Sequence, residues 1–234
     1  MVFLTAGAGT LKNAYAMTPE IRGSAGMLAA IEEQFAARGR TPKGRAARCA
    51  IFRATRAEVV SAGLHETSLD VIADRAGLSQ AALRHYFPTR DELLSEFFTT
   101  ASSWLQDQVA ACFEQKELGA HARLENCIGW HLEYMEAVET TFWLEASAYW
   151  LRQAKTRRMR DDWYRWLMRQ YAATIGEALP TLGRAERQRR AYAVLTLVLG
   201  AWITHGRGSA VHRSATPAER RRLLLDAAMD IALR

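Results

Sequence analysis

Apolar residues recur at spacings of three and four along almost the whole 234-residue chain, and no stretch alternates apolar with polar long enough to build a sheet. The pattern predicts an all-α protein. Met27–Arg38 (MLAAIEEQFAAR) reads as one helix and Gly39–Gly44 as a linker. Residues 46–62 read as a first core helix, with Ile51, Phe52, Thr55 and Val59 on one face. A long helix runs on from Thr89 and ends between Phe113 and Lys116. Further helices are predicted over 120–137, 141–154, 156–179, 184–206 and 217–233, with Pro180 ending one of them. Thr216-Pro217-Ala218-Glu219 marks the last start: a cap, a proline in the first turn and a glutamate at the third position.

Between the core helix and the long helix lies TSLDVIADRAGLSQAALRHYF, residues 67–87. Thr67 can cap a first short helix, and Asp70, three residues on, complements its positive end. Gly77 suits a left-handed helix end, Leu78 plugs the turn, and Ser79 caps a second helix from Gln80 to Tyr86. Ala73 is small enough for the two helices to cross closely, while Leu83 and Phe87 point to the core. The outward set is Gln80, Ala81, Arg84 and His85, with Tyr86 at the end. Gln and Arg are side chains that hydrogen-bond base edges, and a recognition helix enters the major groove by its N-terminal residues. Pro88 ends the helix, and Thr89 with Glu92 forms a capping box for the next one. Arg90 is expected to reach a phosphate. The plainer alternative is two amphipathic helices joined by a glycine turn, but the spacing of Ala73, Gly77, Leu78 and Leu83 agrees with a helix-turn-helix at each position.

With these residues in hand, the stretch resembles the tetracycline-repressor (TetR) family. The residues that carry the likeness are Ile51, Phe52, Val59, Gly63, Thr67, Ser68, Ile72, Ala73, Ala76 to Ser79, Leu83, Phe87, Arg90, Leu93 and Leu94, spanning roughly 46–98. The resemblance implies that Ser68, Leu69 and the helix from Ser79 through Ala82 to Tyr86 face DNA, and that Arg90 holds the backbone. Arg84 stands where the family usually has Tyr, and Val59 where it has an aromatic, which bears on sequence preference more than on DNA binding. His85-Tyr86-Phe87 is similar to the choline-responsive betaine-pathway branch, and Trp143 to Trp202 is faintly so.

Charge sharpens the picture. Residues 38–90 hold 10 Lys and Arg against 4 Asp and Glu, so the whole +6 excess lies in and just before the helix-turn-helix. Arg38, Arg40, Lys43, Arg45 and Arg48 form a basic run, followed by Arg53 and Arg56. Such a run is usually a solvated face. Beside a recognition helix it reads as a phosphate footprint, and Lys43, Arg45 and Arg48 are nominated as contacts. Residues 1–45 are expected to be a partly flexible extension with this basic end, 46–98 the DNA-binding domain, and 99–234 a ligand-binding and dimerisation domain. The leader can be an arm, an added helix or a misassigned start, with Met17 and Met27 as other candidates. Three cysteines without metal spacing, no apolar run of ~20 residues and no sustained signal-peptide core in MVFLTAGAGTLKNAYA point to the cytoplasm.

All seven tryptophans follow residue 100. Members of the resembled family bind a small molecule in this half and dimerise through it. The tryptophans are either plain core or the walls of a cavity, and their concentration favours a cavity. Trp104, Cys127, His131, Tyr134, Glu145, Tyr149, Trp150 and Trp163 are the expected lining. Glu145, the only charge in Thr141–Leu151, either pairs with a cationic ligand or is simply solvated. Val194, Val198 and Trp202 on one helix and Leu224, Ala228 and Ile231 on the last are expected to form a four-helix dimer interface.

Little points to an enzyme. G-x-S-x-G, H-E-x-x-H and G-x-G-x-x-G are absent. Gly39–Arg45 imitates a phosphate loop but has Arg45 and Ala46 where Lys and Ser or Thr are needed. The histidines, including His121 and His212, form no i, i+4 pair, and no metal or cofactor is expected. The expectation is a homodimeric, ligand-responsive regulator, a repressor acting on a near-palindromic operator. A helical enzyme or carrier with a coincidental helix-turn-helix, and an architectural DNA binder without effector, are the rivals.

Overall fold

The computed structural model describes residues 24–152, 154–207 and 215–234. The stretch Met1–Ala16, Met17 and His212, all singled out above, lie outside the described residues. Eleven helices make up the described chain: α1 (Ser24–Ala36), α2 (Pro42–Ser61), α3 (Gly63–Glu66), α4 (Leu69–Ala76), α5 (Gln80–Tyr86), α6 (Arg90–Glu114), α7 (Ala120–Ala137), α8 (Thr140–Arg152), α9 (Ala154–Ala178), α10 (Arg184–Thr204) and α11 (Pro217–Leu233). The all-α expectation holds.

The first helix is no loose leader. Met27, Ile31 and Phe35 of α1 are buried, and Phe35 packs on Phe52 and Phe87 at ring separations of 5.4 and 5.8 Å. α2 begins at Pro42, ahead of the expected residue 46. Thr41 accepts from the Gly44 amide at 3.0 Å, and Pro42 takes the first helical position, where its missing N–H is no loss. The boundary expected between residues 45 and 46 therefore falls inside a helix.

α2 ends against Gly63, whose φ of 82° turns the chain into the single turn of α3. The cap of α4 is Ser68 and not Thr67: Ser68 Oγ accepts from Val71 N at 3.2 Å, while Thr67 Oγ1 donates back to Gly63 O at 2.9 Å. Gly77 (φ 67°) closes α4 as expected, and the Leu78 amide returns to Ala73 O at 3.0 Å. Ser79 caps α5 through Ala82 N, and Thr89 with Glu92 forms the capping box of α6. Leu83 and Phe87 lie in one core with Ile51, Ile72 and Phe97. Burial of such side chains contributes about 1.5–3 kcal/mol each.

α6 is long enough to belong to both halves. Its start carries Leu93, Leu94 and Phe97 into the N-terminal core, and its end packs on α7. α7 is enclosed by α6, α9, α10 and α11, so its residues are buried on more than one face. That position explains why Trp130 and Tyr134, which share one face, and His131, which turns from it, are all inside.

Candidate nucleic-acid interface and cavity

Gln80, Ala81, Arg84 and His85 are exposed on α5, and Tyr86 is half-buried, with its ring edge-on to His85 at 5.7 Å. Arg84 has one polar neighbour: its Nη2 lies 3.4 Å from Asp70 Oδ1, and both side chains are 53% exposed. Such a loose surface pair is worth little and opens readily. Ser68 is half-buried and Ser79 exposed at the two helix starts, and each hydroxyl oxygen already accepts a backbone N–H. Ala82 is half-buried.

Four expected contacts face elsewhere. Thr67 is 1% exposed and Leu69 8%, because both close the core beneath α4. Arg48 is buried: its Nε donates to Phe35 O at 2.9 Å, a terminal nitrogen pairs with Glu96, and the guanidinium lies over the Phe35 ring at 4.5 Å. It shares a helical face with Ile51, Phe52 and Thr55, which a count of charges ignores. Arg90 donates to the carbonyls of Thr67 and Leu64 and so clamps the end of α3. Arg38, Arg53, Arg56 and Arg75 are paired with Glu96, Glu32, Glu139 and Glu58. Arg40, Lys43 and Arg45 are left exposed at the start of α2 with no carboxylate partner among the described residues. Arg45 Nε donates to Gly39 O at 3.1 Å.

A cavity of about 220 Å³ opens in the other half, walled by residues of α6 to α10. Trp143, Trp150, Trp163 and Trp202 line it, with Trp143 lying 4.9 Å from Trp202 and 5.4 Å from Trp150 between ring centres. His131 also reaches it. Its Nδ1 is 3.1 Å from Cys127 O, which fixes the proton on Nδ1 and leaves Nε2 an acceptor. Burial lowers the His131 pKa to about 4, so the ring is neutral near pH 7.

Of the eight expected lining residues, His131, Trp150 and Trp163 are at the cavity and five are not. Trp104 and Tyr134 form an aromatic stack with Trp130 behind it, with Trp130 and Tyr134 at 5.3 Å. Tyr134 and Cys127 are fully buried, and burial pushes the pKa of each upward. Glu145 and Tyr149 turn the other way. Glu145 Oε2 accepts from Leu64 N at 3.2 Å, and Tyr149 Oη donates to Asp91 O at 3.4 Å. Glu145 is thus a strut from α8 to α3. Its isolation in an apolar segment was a signal, but nothing in the sequence pointed to Leu64. Arg160 and Tyr164, also at the cavity, were missed.

Part of the expected dimer face is turned inward. Val194, Val198 and Ala228 are buried within this chain, and Trp202 lines the cavity. Leu224 and Ile231 are half-buried and pack on the core. The apolar surface left free on α10 is Tyr192 (62% exposed) and Ile203 (59%), with Leu223 (62%) on α11.

A capped glycine turn presenting an exposed polar helix defines a helix-turn-helix DNA-binding protein. Comparison with known proteins agrees. Residues 51–97 match the family model of bacterial regulatory proteins, tetR family. The chain is 25% identical over 156 residues to the HTH-type transcriptional regulator BetI of Escherichia coli (strain K12 / DH10B), covering 65% of this chain and 78% of that one. Its fold is similar to a putative transcriptional regulator from Pseudomonas aeruginosa PAO1, with a TM-score of 0.66 at 18% identity over 83% of this chain and 92% of that one. A putative TetR-family transcriptional regulator from Rhodococcus sp. gives 0.57 at 21% identity, over 80% and 99%. Residues 51–97 thus carry the helix-turn-helix region of the tetR family, and the chain as a whole is similar to transcriptional regulators of that kind.

Proposed function

We propose that the protein is a homodimeric repressor that a small molecule releases from its operator. The observation that carries the ligand-responsive part is the two-sidedness of α8. One face supplies Trp143, Ser147 and Trp150 to the cavity. The other holds the DNA-binding domain through Glu145 on Leu64 and Tyr149 on Asp91. A ligand that prefers one tilt of α8 would bias where α3, α4 and α5 sit. It can shift that balance only by its differential affinity for the two arrangements.

On the DNA side, Gln80 and Arg84 are the base readers and Ser68, Ser79, His85 and Tyr86 the flanking contacts. Arg40, Lys43 and Arg45 at the α2 start meet phosphate. Cations at a helix N-terminus oppose its dipole, and an incoming phosphate relieves that conflict. The dimer forms through Tyr192 and Ile203 of α10 with Leu223 of α11, and its two α5 helices take the half-sites of a near-palindrome in the cytoplasm.

The test selects genomic fragments on the purified protein and titrates them with and without candidate effectors. Enrichment of near-palindromic fragments, with affinity lowered by one effector, supports the reading. No enrichment at any salt, or effector binding that leaves DNA affinity unchanged in every case, contradicts it. Sedimentation of Ile203→Glu checks the dimer face, where an unchanged dimer would move the interface elsewhere.

A further inference from the structure

The cavity's charges are lopsided. Among the described residues, Arg160 is the one charged side chain that lines it, and no Asp or Glu does. Glu145, two residues from Trp143, is engaged with Leu64. We propose that the cavity takes a flat, apolar molecule bearing one carboxylate, with its rings among the tryptophans and its anionic group on Arg160. The inference rests on the ligand-responsive reading above and names the chemistry of its effector.

Four observations support it. First, a cation would meet Arg160, whose carboxylate partner Asp161 is already engaged with it, so the aromatic walls alone would have to hold the cation. Second, Arg160 is oriented but not locked. Its Nε and Nη2 donate to Asp161 Oδ1 at 3.0 and 2.6 Å, and it lies over the Tyr164 ring at 5.9 Å. Asp161 is 47% exposed, so its carboxylate can turn to water when a ligand carboxylate takes the guanidinium fork. The exchange conserves charge inside the cavity. Third, the volume is right: a dry cavity of about 150 Å³ takes benzene, and 220 Å³ takes two fused rings. Fourth, His131 is neutral there and adds one acceptor for a ligand hydroxyl or N–H. Leu144 lines the cavity and remains about half exposed, which gives an apolar ligand a mouth.

Three probes of one shape separate the possibilities: 1-naphthoate, 1-naphthol and (1-naphthylmethyl)trimethylammonium. Binding is read by quenching of tryptophan emission and by thermal shift of the full chain without DNA. The expected result is saturable binding of 1-naphthoate at least tenfold tighter than of either isostere. Arg160→Gln should remove that preference and leave 1-naphthol binding as it was, and Arg160→Lys should fall between. The retained 1-naphthol binding shows that the variant is folded. Equal or tighter binding of the ammonium probe overturns the proposal, as do an Arg160→Gln variant that holds 1-naphthoate as before and a lack of binding by all three probes. DNA affinity is measured separately on the wild-type preparation. Probe binding without an effect on DNA would sink the ligand-responsive reading and leave the cavity chemistry standing. Intact DNA binding with no preference for 1-naphthoate would do the reverse.

Discussion

The helix-turn-helix and the tryptophan-rich half solve opposite problems. α4 and α5 are short, and local devices hold them: Ser68, Gly77, Ser79 and a few buried side chains such as Ala73 and Leu83. Their polar residues stay outside with weak partners, free to exchange them for a nucleic acid. α7, enclosed by its neighbours, is apolar on more than one face and buries polar groups such as His131 and Tyr134. There the free space is inside. The first region keeps its chemistry on a rigid edge, and the second keeps it in a cavity whose shape depends on how several helices pack. α6 and α8 touch both regions, and α8 does so with opposite faces: its tryptophans on the cavity, Glu145 and Tyr149 on the N-terminal helices.

The largest expected effect tests whether charge in the N-terminal region divides into structure and contact. Arg48→Ala leaves Glu96 with only the exposed Arg38 and Phe35 O without its donor, and should cost up to about 3–5 kcal/mol of stability, read by urea unfolding. A loss of DNA affinity with unchanged stability would return Arg48 to the contact surface. Next is pH. Burial lowers the His131 pKa to about 4, below its unfolded value, so the unfolded chain binds the proton more readily. Stability from this group is full above about pH 6.5 and falls as pH drops toward 4. The total is roughly 3 kcal/mol. His131→Gln should flatten that slope, and an unchanged slope would mean that another group sets it.

A smaller effect concerns the link between the two regions. Glu145→Ala removes the acceptor of Leu64 N, a loss of about 1–2 kcal/mol at most. Effector and DNA should each still bind, with the influence of one on the other reduced several-fold in anisotropy titrations. Full retention of that influence would take α8 out of the path. Smallest in free energy is the pair Lys43→Ala and Arg45→Ala. Together they should lower the salt slope of DNA binding by about 2 and leave the melting temperature nearly unchanged. An unaltered slope would mean that the α2 start points away from DNA.

The contrast also explains what the sequence made legible. Caps, a glycine corner and a proline stop act over a few residues, so α5 and the capping box of α6 could be read directly. The cap of α4 slipped by one because Thr67 and Ser68 are both suitable, and Thr67 bonds backward to α3. Arg48 and Arg90 were misread because a charge reveals nothing about its direction until its helix is packed. α10 misled for a similar reason. Its strongest apolar stripe, Val194 and Val198, serves its own chain, and the weaker stripe through Tyr192 and Ile203 stays outside. Tryptophan count pointed to the correct half. Which tryptophans face open space is decided by α6 to α10 together, and no spacing within one helix encodes it.

The most direct measurement compares wild type with Arg84→Ala on a selected genomic fragment and on a scrambled duplex at one fixed salt concentration. The account predicts a specific affinity lower by ~1–3 kcal/mol with nearly unchanged binding to the scrambled duplex. Equal losses on both duplexes, or no loss on either, would contradict the claim that α5 reads bases.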